Sequence, residues 1–340
     1  MKAAVVTGSG RLEIQEIQMP KPGLYDCLVK IDACAVCTGT DSSIVYKSFP
    51  WRSPYPFVLG HESTGIIQEI GKRVKNFKAG QRVTRPAAIL AGETVNGISS
   101  TWGGYAEYGL VRDATSAKRD GVQVDGMLAS SRNPLPDDVD PVYASLSINQ
   151  REILSVTSKI PFKRASAVLV IGSGYNGLLF SLFSKYSGAG RVIMVGNPRQ
   201  AQLAVGRYTA DGYVDYHEVK AATLCRKELG GDPTYIIDAV GTMASLKLAQ
   251  ELLEPHIAFG LYGLDEYSAT IDIREHLTRT HPVLDMSTDE ANYVDEWYRL
   301  WKEGFFMQPG IYDQVMPLAQ IHQAFEILTR REAVKIVLEI

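Results

Sequence analysis

Several absences narrow the reading of this chain before any motif is sought. No run of about eighteen or more apolar residues occurs, so no stretch is set up to cross a bilayer as a helix. Cysteine is scarce: Cys27, Cys34, Cys37 and Cys225 are too few and too scattered for a disulfide framework, which points to a reducing compartment. Charge of one sign is lacking as well. Thirty-five Lys and Arg stand against 38 Asp and Glu, a net charge of −3, which leaves no basic surface for nucleic acid and no polybasic stretch for a membrane. The opening MKAAVVTGSGRLEI alternates like a strand and has no apolar signal core, so a cytoplasmic enzyme is expected. Internal repeats and low-complexity tracts are missing too.

What is present is an ordinary globular composition, 45% hydrophobic and 21% charged, over 340 residues, a length that suits two domains. The texture changes near residue 155. Before it come short β-branched or alternating runs (CLVKIDACAV, STGIIQEI, QRVTRP) with turns at KPG, KAG and WGG, the pattern of an antiparallel, barrel-like β domain. After it, apolar runs alternate with helical segments: AVLVIG, YNGLLFSLFSKY, RVIMVG, PRQAQLAVGRY, TYIIDAV and SLKLAQELL. That alternation implies a parallel sheet with right-handed crossovers. From about residue 289 the tail differs again, with helices through VDEWYRLWKEG and QIHQAFEIL and a closing strand VKIVLEI. The expected division is therefore 1–154 with 289–340 as a β-rich domain and 155–288 as a doubly wound α/β domain. The polar segment DATSAKRDGVQVDGMLASSRNPLPDD reads as a surface excursion.

AVLVIGSGYNG places Gly172, Gly174 and Gly177 in G-x-G-x-x-G spacing, with Ser173, Tyr175 and Asn176 between them, directly after a strand and opening a helix. The first glycine permits a tight turn, the second lets backbone approach a pyrophosphate, and the third lets helix and strand pack closely. With the strand, helix and next strand all in place, dinucleotide binding is the reading. An NAD site usually carries Asp or Glu at the end of the second strand to hold the ribose 2′-hydroxyl. Here Gly196 stands there, followed by Asn197, Pro198 and Arg199. Loss of the carboxylate removes repulsion against a 2′-phosphate and Arg199 is available to pair with it, so NADP is favoured over NAD. Val240 and Gly241, and Leu261 through Gly263, follow later strands at the carboxyl edge where an open sheet holds its ligand.

A second cluster lies in DACAVCTGTDSS and PFVLGHESTG. Cys37, Asp41, His61 and Glu62 fall on two expected loops of the β domain, and His61 is the only histidine before His217. A thiolate and an imidazole suit Zn²⁺, with Asp41 placed to hold the second imidazole nitrogen.

Together these residues resemble the zinc-dependent alcohol and polyol dehydrogenases of the medium-chain dehydrogenase/reductase superfamily. The likeness covers essentially the whole chain, from KAAVV through VLGHESTG, FKAGQRV, WGGYAEYGLV, VLVIGSGYNG and IIDAVGT to MPLAQIHQAFEILTRREAVKIVLEI. It implies a GroES-like barrel joined to a Rossmann domain, with NADP or NAD and one catalytic zinc as cofactors. Carried over by motif, Cys37 and His61 are zinc ligands, Glu62 is the adjoining carboxylate and Asp41 lies behind His61. The proton relay falls on Thr40, although an extra residue in Cys37-Thr38-Gly39-Thr40-Asp41 leaves Thr38 open as well. Lys335 resembles the basic residue that helps hold the pyrophosphate. A homodimer or homotetramer acting on a small alcohol or ketone is implied, with no nucleic acid and no membrane.

Two departures matter. No cysteine lies between Cys37 and Cys225, so no structural zinc is expected. The resemblance also places a third catalytic ligand near SLSINQREILSV, where Ser147, Ile148 and Asn149 stand instead; Glu152, one helical turn on, is the expected ligand, with Glu62 as the other carboxylate in reach. Zinc would act as a Lewis acid on the substrate oxygen while hydride passes to or from the nicotinamide, and the proton would leave through Thr40 or Thr38 and Ser43. Zinc polyol dehydrogenases, which the chain resembles, often lack a structural zinc and use a Glu ligand, so the resemblance implies a sugar, polyol or cyclitol, bordered by Tyr46, Trp51, Arg52 and Trp102. Two other readings stay open: a zinc-free NADPH-dependent reductase of activated double bonds on the same fold, and a non-catalytic dinucleotide-binding protein.

Overall fold

The computed structural model describes residues 1–46, 52–124, 133–263, 265–266, 282–306 and 311–340. The chain forms two compact units. The first comprises Met1–Asn149, Val294–Glu303 and Ile311–Ile340, and the second Gln150–Tyr293 and Gly304–Gly310. The division differs from the one read from texture because a single helix, Pro141–Lys159, runs across the change of pattern and the boundary falls inside it. Residues after Gly304 join the second unit because Phe305 and Phe306 pack on Phe183, each with ring centroids 6.0 Å away.

The first unit carries β1 (Lys2–Gly8), β2 (Arg11–Glu16), β3 (Asp26–Ala35), β4 (Phe57–Val58), β5 (Glu62–Ile70), β6 (Arg82–Thr84), β7 (Ser99–Ser100), β8 (Tyr108–Arg112) and β9 (Pro134–Leu135). Its helices are α1 (Thr38–Tyr46), α2 (Ala114–Arg119) and α3 (Pro141–Lys159), the last passing into the second unit. The second unit carries β10 (Ala167–Ile171), α4 (Tyr175–Tyr186), β11 (Arg191–Gly196), α5 (Ala201–Arg207), β12 (Gly212–Asp215), α6 (Ala221–Leu229), β13 (Tyr235–Asp238), α7 (Met243–Leu252) and β14 (Ala258–Leu261). The chain then returns to the first unit with α8 (Val294–Lys302), β15 (Gln314–Pro317), α9 (Ile321–Thr329) and β16 (Ile336–Glu339).

In the first unit β3 is the organising strand. Being ten residues long, it pairs along one edge with β5 and along the other with β8 over its first half and β16 over its second, all antiparallel. Both faces are covered, so DCLVKIDACA is almost wholly buried and shows no clean alternation. A smaller sheet, in the order β2-β1-β4-β7, lies beside it in sequence terms. Apolar side chains of both sheets, α1 and α9 form one core that includes Val6, Ile44, Phe57, Phe325 and Leu338.

The second unit is an all-parallel sheet in the order β12-β11-β10-β13-β14. AVLVI and VIMV are continuous apolar runs because parallel strands are covered on both faces. The order reverses between β10 and β13, the switch point at which such sheets hold ligands.

Two local expectations change. The stretch after Cys37 is a helix, α1, and not a loop. The polar excursion contains α2, whose start is capped by Asp113 accepting from Ser116 N at 3.0 Å; residues 125–132 of it lie outside the described set.

Gly60 sets the approach to His61. Its φ is +101°, and a β-carbon there would lie 2.7 Å from Tyr105 N and 2.8 Å from its ring. Gly60→Ala should therefore cost about 1–3 kcal/mol of stability, read as a lowered melting temperature of the purified protein. An unchanged melt would show that the segment around Tyr105 yields freely.

Candidate catalytic and cofactor sites

Strand register brings distant residues to one corner of the first unit. Ala35 at the end of β3 pairs with Glu62 at the start of β5 and with Val337 in β16, and Val36 N donates to Ile336 O at 2.9 Å. Cys37 just beyond β3, His61 and Glu62 at the head of β5, and Lys335 just before β16 must therefore meet. The ligand atoms of Cys37, His61 and Glu62 lie within 4.8 Å of one another.

Asp41 ties this corner together from the first turn of α1. It is fully buried. Oδ1 lies 3.0 Å from His61 Nδ1, while Oδ2 accepts from Cys37 N at 3.1 Å and from the Tyr105 hydroxyl at 2.5 Å. A carboxylate on Nδ1 holds a proton there, so the proton that a metal would displace is the one on Nε2. Burial alone would depress the His61 pKa, but the Asp41 charge and hydrogen bond, with Cys37 beside it, lift it well above its ordinary value.

Glu62 is 1% exposed. Its Oε2 accepts from Lys335 Nζ at 2.5 Å, whereas Oε1 faces His61 Nε2 at 3.8 Å and has no hydrogen-bond partner. Burial works against the Lys335 charge, yet the Glu62 carboxylate raises its pKa above the usual lysine value. Lys335 is thus a correction to the expectation that it holds a pyrophosphate: its ammonium is spent on Glu62, because the antiparallel register of β16 with β3 carries it inward.

Glu152, expected as the third ligand, is not in the donor group. It stands mid-way along α3, which begins at Pro141, and belongs to the second unit. Ser147 and Asn149 are both buried, and Asn149 Oδ1 has no hydrogen-bond partner. Thr38 and Thr40 are half-buried on α1; Thr38 is three residues from Asp41 and so shares its helical face, while Thr40 flanks it. Ser43 is 1% exposed. Among residues expected to border the alcohol, Trp102 lies against His61 with ring centroids 5.0 Å apart and holds an unusual φ of +66°. Tyr46 packs edge-on to Phe325, Arg52 stacks over Tyr55, and Trp51 lies outside the described residues.

In the second unit the glycine loop has the three geometries its spacing implies. Gly172 has φ +110°, and a β-carbon there would meet Val240 Cγ2 at 2.6 Å. Gly174 caps α4 with no atom within 4 Å of a built β-carbon, an open approach to the helix N-terminus, while Gly177 packs so closely that such a carbon would sit 2.0 Å from Gly172 O. Tyr175 accepts from Gln150 Nε2 at 3.0 Å, and Asn176 follows it in the first turn. At the end of β11, Asn197 Oδ1 accepts from Arg199 N at 3.0 Å and the Arg199 side chain is exposed.

Motif reading missed Asp238 at the end of β13. Its Oδ1 accepts from Val240 N at 2.8 Å and Gly241 N at 3.0 Å, and its Oδ2 accepts from Ser245 Oγ at 2.7 Å. Its own carbonyl accepts from Tyr262 N and Gly263 N. One buried residue therefore shapes both loops expected to face the cofactor, those at Val240–Gly241 and Leu261–Gly263, and burial raises its pKa. The signal in the sequence was an Asp closing an otherwise apolar strand. Tyr105 was missed too, its only mark being an aromatic after Gly103 and Gly104.

Comparison with known proteins agrees with this geometry. The alcohol dehydrogenase GroES-like domain family matches residues 23–120. The chain is 27% identical over 376 residues to a protein of Schizosaccharomyces pombe named as a probable S-(hydroxymethyl)glutathione dehydrogenase 1, covering 99% of this chain and 96% of that one. It is 28% identical over 276 residues to the sorbitol dehydrogenase of Halalkalibacterium halodurans, covering 78% and 77%. The crystal structure of 2R,3R-butanediol dehydrogenase from Bacillus subtilis superposes with a TM-score of 0.77 at 22% identity, covering 100% of this chain and 99% of that one. The barrel register that gathers Cys37, His61 and Glu62 lies within and beside the part of the chain that matches the alcohol dehydrogenase GroES-like domain, and along nearly its whole length the chain is similar to proteins named as alcohol-type dehydrogenases.

Proposed function

We propose that this protein is an NAD(P)-dependent dehydrogenase of a small polar alcohol, a sugar, polyol or cyclitol, and that it uses one zinc ion held by Cys37, His61 and Glu62. The carrying observation is Glu62 Oε1, a buried carboxylate oxygen with no hydrogen-bond partner, aimed at His61 Nε2. A buried acceptor left unpaired is costly, and a cation between it, the imidazole and the Cys37 thiol would satisfy it. The charge count agrees. Asp41 and Glu62 face Lys335 and the His61 imidazole, so a cation that displaces the His61 Nε2 proton and the Cys37 thiol proton would keep the corner's charges balanced.

Zinc bound there would supply Lewis-acid polarisation of the substrate oxygen, and the nicotinamide C4 would exchange hydride with the carbinol carbon. The chain's own residues prepare that chemistry. Asp41 holds the proton on His61 Nδ1, and Tyr105 and Cys37 N hold Asp41. Lys335 binds Oε2 of Glu62 and so turns Oε1 toward the donor group. Thr38 or Thr40 would relay the hydroxyl proton, passing its own on toward Ser43 as it accepts the substrate's. Trp102 supplies an apolar wall beside His61 suited to the C–H face of a hydroxylated carbon chain or ring. Preference for NADP rests on Gly196, where the acidic residue of NAD sites is missing, and on the exposed Arg199.

Three outcomes test this reading. The purified protein should carry about one zinc per chain by elemental analysis; Cys37→Ser and Glu62→Gln should each remove most of it, since a catalytic zinc normally needs three protein ligands, whereas Glu152→Gln should retain it. Loss with Glu152→Gln and retention with Glu62→Gln would reverse the ligand assignment. NADPH should bind more tightly than NADH, and Arg199→Ala should erase most of a gap of about 10- to 100-fold, the worth of a charge-assisted phosphate contact. Equal affinities in the unmodified protein would end the NADP preference. Finally, a spectrophotometric panel should show polyols and cyclitols oxidised faster than simple primary alcohols; the opposite order would remove the substrate class while leaving the metal site standing.

A further inference from the structure

We propose that Ser173, Gln200 and Tyr213 form a polar lock at the end of β11 that physically closes the position from which an acidic side chain would read the adenosine ribose, making them specificity-determining residues for the dinucleotide. The inference rests on the nicotinamide reading above but concerns different atoms. Gly196 is not merely a residue without a carboxylate. A β-carbon built on it would lie 2.2 Å from Ser173 Oγ, 2.4 Å from Ser173 Cβ and 2.5 Å from Tyr213 Oη. All three distances are below any real contact of such a carbon, so a side chain enters only if its neighbours move.

Those neighbours are tied down. The Ser173 hydroxyl donates to Gln200 Oε1 at 2.6 Å and accepts from Asn197 N at 3.0 Å. The Tyr213 hydroxyl donates to Asn197 O at 2.6 Å. Both backbone polar groups of Asn197 are therefore held by the two side chains that a residue larger than glycine at 196 would displace. Tyr213 is placed by the parallel register of β12 with β11, which pairs it with Met194. Burial pushes its phenol up to about 12, so it stays a neutral donor at ordinary pH. Because Ser173 sits between Gly172 and Gly174, disturbing it also disturbs the phosphate loop. The lock thus couples the ribose end of the site to the pyrophosphate end: converting the glycine to an acid would cost binding of either dinucleotide before it could favour one of them.

The test uses the full-length protein and measures dissociation constants for NADPH and NADH, with melting temperatures, for Gly196→Asp, Gly196→Ala, Ser173→Gly, Ser173→Gly with Tyr213→Phe, and their combinations. Gly196→Asp and Gly196→Ala alone should each weaken both cofactors about tenfold or more and lower the melting temperature. Adding Gly196→Asp to the Ser173→Gly/Tyr213→Phe background should restore NADH binding and place NADH ahead of NADPH. Gly196→Ala and Ser173→Gly together should lose much less than the sum of their separate losses, in affinity and in melting temperature. The proposal is overturned if Gly196→Asp alone binds NADH as well as the unmodified protein does and melts at the same temperature, or if the Gly196→Ala and Ser173→Gly losses simply add. Failure of the unmodified protein to bind either dinucleotide would instead overturn the nicotinamide reading, and the lock would then stand or fall on the melting-temperature coupling alone.

Discussion

The side chain of Asp41, with no exposure to solvent, accepts from three directions: the Cys37 amide, the Tyr105 hydroxyl and His61 Nδ1. A carboxylate buried this deeply persists because every approach to it is a donor, and removing any one would leave charge uncompensated in a low-dielectric setting. The consequence runs outward. Helix α1 starts where it does because Asp41, in its first turn, binds the amide of Cys37 just ahead of it, and the His61 ring is oriented because its Nδ1 is held on Asp41. Tyr105 belongs to the segment after Gly103 and Gly104, whose glycines let the chain pass close to Ser63 and Ala88. Three stretches of chain that share no sequence proximity are thereby pinned to a single oxygen pair.

The second unit repeats the device with Asp238. Again one buried carboxylate receives backbone amides, here of Val240 and Gly241, and again the loops it shapes are the ones expected to face the cofactor. The glycines around it do complementary work. Gly263 passes so near Val240 that a β-carbon would meet its carbonyl carbon at 2.1 Å, and Gly172 is closed off by the Val240 side chain. Donors fix the loops from within, and absent side chains let them approach one another. Loops held in this way are positioned before a ligand arrives, which is what orienting the proposed hydride transfer would use.

Glu62 and Lys335 show how a buried pair differs from a surface one. Surface pairs such as Arg299 with Glu303 are solvated and contribute little. Lys335 and Glu62 are both shielded from solvent, so the pair is strongly oriented, and orientation is what leaves Oε1 turned to the donor group. The ion pair's role at this corner is directional more than stabilising. Truncating one partner would strand the other, and a loss of metal on Lys335 substitution would have to be read with that in mind.

The glycine spacing around Gly172, the Cys37 and His61 pair, and the apolar runs of β10 and β11 were legible in the sequence because each is a local pattern: a period, a spacing or a residue type that chemistry requires in a given place. The parallel sheet followed from alternating runs, and the β-rich unit from short segments broken by glycine and proline. What local pattern could not supply was register. Whether Glu62 or Glu152 joins Cys37 and His61 depends on Ala35 pairing with Glu62 and on α3 running unbroken from Pro141, and neither is written in the spacing of either glutamate. Lys335 looked like a phosphate holder by its place in the closing motif, and pairing of β16 with β3 turned it onto Glu62 instead. Gly196 announced a missing carboxylate, but only the approach of Tyr213 from the neighbouring strand and of Ser173 from the phosphate loop explains why no side chain fits there. Sequence by itself determined which chemistry the chain carries, since residue type and local spacing set that. Tertiary structure decided which of those residues face one another, since a shift of one position in a strand pairing turns a side chain to the opposite face.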